Sequence, residues 1–123
     1  MSQATRGSLM VLVAGPYRSG TDGVPARIAA NVDAMTMVAL ELYRRGHLPV
    51  MGEWFALPLI EAARIHGWDG DPDADIFHPI AEQVIARCDA VVRIGGPSAG
   101  ADRMVAVART LGKVVFMGLE QMP

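Results

Sequence analysis

A chain of 123 residues fits one domain with one core, and an apolar share of 51% excludes disorder as its default state. The net charge of −2 supplies no basic field, so nucleic acid is not an expected partner. The single cysteine, Cys88, excludes an internal disulfide framework, and no apolar run approaches the roughly 20 residues of a membrane span. A cytoplasmic protein with no membrane partner is the expectation.

Residues 1–8 are polar and lack a following long apolar stretch with a cleavage site. They read as a disordered lead, not a signal peptide, and leave residues 9–123 as the single domain. Leu9–Ala14 (LMVLVA) is continuously apolar, which suits a strand buried on both faces. Gly15-Pro16 ends it, and a polar, glycine-rich loop runs to Val24.

Pro25 can open a helix, because its missing N–H costs nothing in the first turn. Ile28, Val32, Met35, Ala39 and Leu42 then step by four, three, four and three, one stripe of an amphipathic helix. Arg44 and Arg45 suit its negative end, and Gly46 is placed to stop it. His47–Met51 reads as a second strand and Gly52-Glu53-Trp54 as a loop. A second helix is expected over Leu57–Ile65, with Pro58 in its first turn and Gly67 past its end.

Trp68–Asp75 is rich in aspartate and reads as a surface excursion. Ile76–Arg87 is expected to form a third helix with Pro79 in its first turn and Asp75 as its cap. Asp89–Ile94 is the third strand and Gly95–Ala101 a second glycine-containing loop. Asp102–Leu111 is the fourth helix, stopped by Gly112, and Lys113–Met117 the fourth strand.

Strands alternate with helices, so the expected fold is α/β: three layers, α/β/α, around a short parallel sheet of about four strands. The simplest order is 2-1-3-4, flavodoxin-like or Rossmann-like. Its direction reverses between the first and third strands, and ligands bind at such a switch point. The loops following those strands are the two richest in glycine, so they converge on one crevice.

The first loop offers Gly15, Pro16, Tyr17 and Arg18. Tyr17 can stack on a base or donate its hydroxyl, and Arg18 can hold a phosphate or carboxylate. A solvated loop with a turn proline is the plain alternative. The second offers Gly95, Gly96, Ser98, Gly100, Ala101 and Arg103 where a helix begins, and free N–H groups there favour an anion. It matches neither the GxxxxGK[ST] loop nor GxGxxG. Asp102 is an acid at this loop and equally an N-cap. Glu53 and Trp54 lie at the same sheet edge, as a carboxylate and a stacking surface or as an ordinary surface glutamate with a partly buried tryptophan.

Asp69, Asp71, Asp73 and Asp75 alternate like the start of a calcium loop, but Ala74 and Ile80 stand where glycine and glutamate are required. Two of these aspartates remain able to reach the crevice. His47, His66 and His78 lack metal-ligand spacing, Cys88 reads as a small hydrophobe, and there is no nucleophile elbow. Neither a metal nor a cofactor is expected.

VLVAGPYRSG, then Asn31 ahead of RRGHLPV, then CDAVVRI, then SAGADRMVAVARTLGKVV follow one order and spacing from Leu9 to Met117. Together they resemble the nucleoside 2-deoxyribosyltransferase-like superfamily, in particular its small uncharacterised bacterial branch. The resemblance implies a nucleoside or nucleotide ligand. It implies cleavage of an N-glycosidic bond by a glutamate that attacks the anomeric carbon, with base or water resolving the glycosyl-enzyme. It also implies a homodimer or larger assembly in which a neighbour can complete the site.

The family pattern, acid-x-glycine-small-x-x-glutamate, places its acid on Ser98, its glycine on Gly100, its small residue on Ala101 and its nucleophile on Met104. Methionine cannot form a glycosyl ester, and Asp102 stands about 200° around a regular helix from it. Arg103 suits an anionic ligand. The lysine-decarboxylase-like nucleotide phosphoribohydrolases carry a related turn, echoed by Gly95-Gly96 and Gly100-Ala101, and they too want a glutamate at Met104. Asp102, Glu53 and Asp75 are therefore the candidates for a relocated catalytic acid. The alternatives are a non-catalytic nucleotide- or anion-binding module of the same fold, and a structural or partner-binding role.

Overall fold

The computed structural model describes residues 7–123, so most of the N-terminal lead expected at 1–8 falls outside the described residues. It contains one parallel sheet of four strands in the order β2-β1-β3-β4. These are β1 (Met10–Ala14), β2 (Leu48–Val50), β3 (Ala90–Arg93) and β4 (Val114–Phe116). Central β1 pairs Leu12 with Val50 on one side and with Val91 on the other. Val11 through Ala14 are fully buried, which is why the run carries no polar alternation.

The helices are α1 (Pro25–Arg44), α2 (Gly52–Ile65), α3 (His78–Arg87) and α4 (Ala99–Thr110). Helix α1 covers one face of the sheet, where Met35, Ala39 and Leu42 meet Val11, Val13 and Val92. Helices α3 and α4 cover the other, where Ile85 and Met104 meet Leu12 and Val91. Strands 1 and 3 thus have helices on both sides, giving three layers of the flavodoxin-like or Rossmann-like kind. Among the described residues no helix is long and apolar enough to cross a membrane.

Three helices end at the expected glycine stops: Gly46, Gly67 and Gly112 stand at positive φ directly after the capping residues Arg45, His66 and Leu111. The starts differ more. Helix α2 begins at Gly52 instead of Leu57, so Gly52-Glu53-Trp54 is its first turn and not a loop. Beyond Gly52, its buried residues, Glu53, Ala56, Ile60 and Ala63, step by three, four and three. That stripe outweighs Pro58, which sits mid-helix and withholds one N–H from the ladder.

The third helix differs as well: α3 starts at His78 and not at Ile76. A π-helical turn, Asp73–Phe77, runs directly into α3. Pro79 cannot donate to the carbonyl four residues back, and the wide turn lies where that bond is missing. Asp75 therefore does not cap α3; it lies within the turn and accepts the Trp68 indole N–H at 3.0 Å. Nor is Asp102 the cap of α4. Ser98 holds that place, its Oγ accepting the Ala101 N–H at 3.1 Å.

Candidate functional site

The loops after β1 and β3 meet at the carboxyl edge of the sheet. The Ile94 N–H donates to the Ala14 carbonyl at 2.9 Å, which carries the strand pairing into the loops. Loop one is then fixed from within and from α1. The Thr21 hydroxyl, buried, donates to the Arg18 carbonyl at 2.6 Å. The Asn31 amide donates to the Tyr17 carbonyl at 2.9 Å. Loop two is held by Arg93, whose guanidinium donates to the carbonyls of Ile94 and Gly96 and to Asp102.

Between these loops, the first turn of α2 and the π-helical turn lies a cavity of about 520 Å³. Tyr17, Phe77 and His78 bring aromatic groups to its wall. The Tyr17 and Phe77 rings stack with centroids 6.3 Å apart and planes at 16°, and Phe77 meets the His78 ring edge-on at 5.6 Å. The Arg18 guanidinium lies 5.7 Å from the Tyr17 ring centroid. Ser98, Gly100 and Ala101 contribute the start of α4 to the same wall.

Glu53 is the unusual member. Only 2% of it is exposed, and among the described residues neither carboxylate oxygen has a hydrogen-bond partner. Burial pushes its pKa up, and its own backbone N–H, near the carboxylate but outside hydrogen-bond geometry, offsets this in part. An unpaired buried carboxylate costs several kcal/mol, so the group is held toward its neutral acid form. The side chain is there because the apolar stripe of α2 carries it inward, and it lines the cavity at that point.

His78 shows the opposite shift. Burial lowers its pKa, and the nearby Arg103 cation lowers it further, against a smaller opposing effect of Glu82. The imidazole is thereby kept in its neutral form, able to accept a proton.

The structure brings Gly15, Tyr17, Arg18, Glu53, Ser98, Gly100 and Ala101 together in the cavity wall. Met104, 4% exposed, also lies in that wall, because α4 buries Ala101, Met104, Val105 and Ala108 on one stripe. Other candidates stand elsewhere. Asp102 is off that stripe, its side chain 69% exposed and 3.2 Å from the Arg93 guanidinium, and it does not line the cavity. Arg103 pairs with Glu82 at 3.2 Å, also outside the cavity wall. Asp75 is engaged by Trp68, while Pro16, Gly95 and Gly96 belong to the two loops but do not line the cavity.

Four lining residues carry no site expectation from the sequence: Ser19, Ala74, Phe77 and His78. Ser19 sits in the recognised first loop. For Phe77 and His78 the only local signal was Pro79, which marks the helix start that the π-helical turn displaces. Asp71 and Asp73 are the two aspartates of the alternating run that reach the crevice. Asp73 is paired with Arg64, and Asp71 accepts the Asp73 N–H at 3.1 Å.

Cys88 is buried under the sheet, and burial, with Asp89 beside it, pushes its thiol up to about 11. His47 is structural, its Nδ1 accepting the Leu9 N–H at 3.1 Å. Among the described residues no three His, Cys, Asp or Glu side chains cluster to hold a metal ion. No protein-family model matches the chain, and no curated protein matches it either.

Proposed function

We propose that the cavity binds a nucleoside or nucleotide and that the protein acts on the N-glycosidic bond, with Glu53 as the carboxyl group that serves the reaction. The observation carrying this reading is the Glu53 side chain, buried, without a partner for either oxygen, and set in the cavity wall. Such a group destabilises the fold, and buried carboxyls with shifted pKa values concentrate at sites of acid–base work. The stacked Tyr17 and Phe77 rings suit a planar heterocycle, and Arg18 with the start of α4 suits an anionic or hydroxyl-rich end. The resemblance in loop order and spacing supports the same ligand class.

The test is chromatographic. Purified protein is incubated with deoxynucleosides and their 5′-monophosphates, and free base is scored. Release is expected, with loss in Glu53→Gln and little change in Asp102→Asn, which lies outside the cavity wall. Release that survives Glu53→Gln would remove Glu53 from the reaction.

A second reading has its own observation. Met104 occupies the cavity wall where the resemblance wants a nucleophile. A non-catalytic binding module would show saturable binding of the same compounds, weakened by Arg18→Ala, with no base released.

A further inference from the structure

We infer that Glu53 and His78 form an acid–base pair that hydrolyses the glycosidic bond in a single displacement by water, with inversion at the anomeric carbon and no glycosyl-enzyme. This rests on the reading of the cavity as a nucleoside or nucleotide site. It departs from the covalent route that the resemblance implies.

The first ground is that, among the described residues, the wall offers no carboxylate free to attack. On α4, Met104 presents a thioether to the cavity. Asp73 is held by Arg64, and Asp71 by the Asp73 backbone. Glu53 would have to be ionised to attack carbon, and a buried carboxylate without a hydrogen-bond partner on either oxygen is the form its surroundings disfavour. The same surroundings suit a carboxylic acid, which carries a proton to give.

The second ground is where the partner lies. Glu53 enters from the first turn of α2 and His78 from the first turn of α3, two helices packed on each other, and both line the one cavity. The imidazole is edge-on to Phe77, which fixes its ring beside the aromatic wall. The charged and titratable groups around the pair are Arg18 and Tyr17 from loop one and Asp71 and Asp73 from the acidic segment, with Glu82 and Arg103 next to His78. Arg103 disfavours imidazolium, and burial favours the neutral carboxyl. An acid kept protonated and a base kept free, in one cavity, is the pairing that direct displacement needs.

The step balances. Water oxygen bonds to the anomeric carbon as the carbon–nitrogen bond breaks, its electron pair going to the base nitrogen. Glu53 gives its proton to that nitrogen, and His78 takes one from the water. The products are the free base and the sugar, after which proton exchange with solvent restores both side chains.

The experiment uses the full chain with β-configured deoxynucleosides and their 5′-monophosphates, in buffer containing dilute methanol and a second free base. Methanol traps the sugar as a methyl glycoside, which does not mutarotate, and proton NMR reads its configuration. The expected product is the α-glycoside, with no exchange of the base. His78→Ala should lower kcat by about 10²–10⁴-fold and abolish the acid limb of the pH profile. Glu53→Gln should fail on nucleosides yet recover on p-nitrophenyl 2-deoxyriboside, whose leaving group departs without a proton. A β-glycoside, base exchange, or full activity in His78→Ala would overturn the assignment while base release still upheld the nucleoside reading. No base release from any compound would overturn both.

Discussion

Gly95 packs its Cα directly on the ring of Pro16: a Cβ added there would stand 2.6 Å from the proline Cδ. The glycine is also at φ +77°, a conformation that side chains rarely adopt. The two loops flanking the cavity therefore touch at the one residue type that permits it. Gly95→Ala should destabilise the protein by about 2–4 kcal/mol, from a strained backbone and a clash with a rigid ring. Urea denaturation measures the loss. Loops forced apart should also weaken ligand binding, whereas Gly96→Ala, with open space around its Cβ, should do neither. Equal stability of the two variants would refute the contact.

Arg93 ends β3 almost fully buried and spends its guanidinium on loop two. It satisfies the carbonyls of Ile94 and Gly96 and holds Asp102 at the start of α4. Removing it takes a charged donor from two part-buried carbonyl contacts, and a hydrogen bond to a charged group contributes about 1.5–3 kcal/mol. Arg93→Met should cost about 2–4 kcal/mol by the same reasoning. Asp102→Asn should cost less than about 1 kcal/mol, because the pair is exposed on the aspartate side. Thermal or urea unfolding of the two variants separates these outcomes. A large loss in Asp102→Asn would give that aspartate a weight that its exposure does not predict.

The sheet order was legible because its signals are local. Leu9–Ala14 is apolar without a break, and Gly46, Gly67 and Gly112 punctuate three helices that run to them. Convergence of the loops after β1 and β3 follows from strand order, and that alone marks Tyr17, Arg18 and Ser98 in the sequence. The start of α2 was harder. Gly52 and Pro58 both argue against a helix, and only the stripe through Ala56, Ile60 and Ala63, extended back three residues, places Glu53 on the inner face. The acidic segment was least legible. Its alternating aspartates follow no helical period, and the contacts that fold it, Arg64 to Asp73 and Trp68 to Asp75, join residues nine and seven apart in sequence. Phe77 and His78 reach the cavity through that segment, and no local pattern announces a π-helical turn.

Burial of Glu53 should be visible in stability as well as in chemistry. Its pKa is raised in the folded protein, above an ordinary value of 4.5. Above that value the unfolded chain has released the proton while the folded chain still holds it. The folded state binds more protons, so stability falls as pH rises through this window, by at most about 1.4 kcal/mol per pH unit from one group. The contribution is complete below the unfolded pKa and is lost once the folded pKa is passed. Glu53→Gln keeps the size of the side chain and removes the titration. Unfolding free energies of the two proteins, measured from pH 4 to 9, should therefore diverge in favour of the glutamine variant as pH rises, and run parallel once the folded pKa is exceeded. Curves that stay parallel across the whole range would mean that Glu53 ionises as freely in the fold as in water, and would take away the reason for its role as an acid.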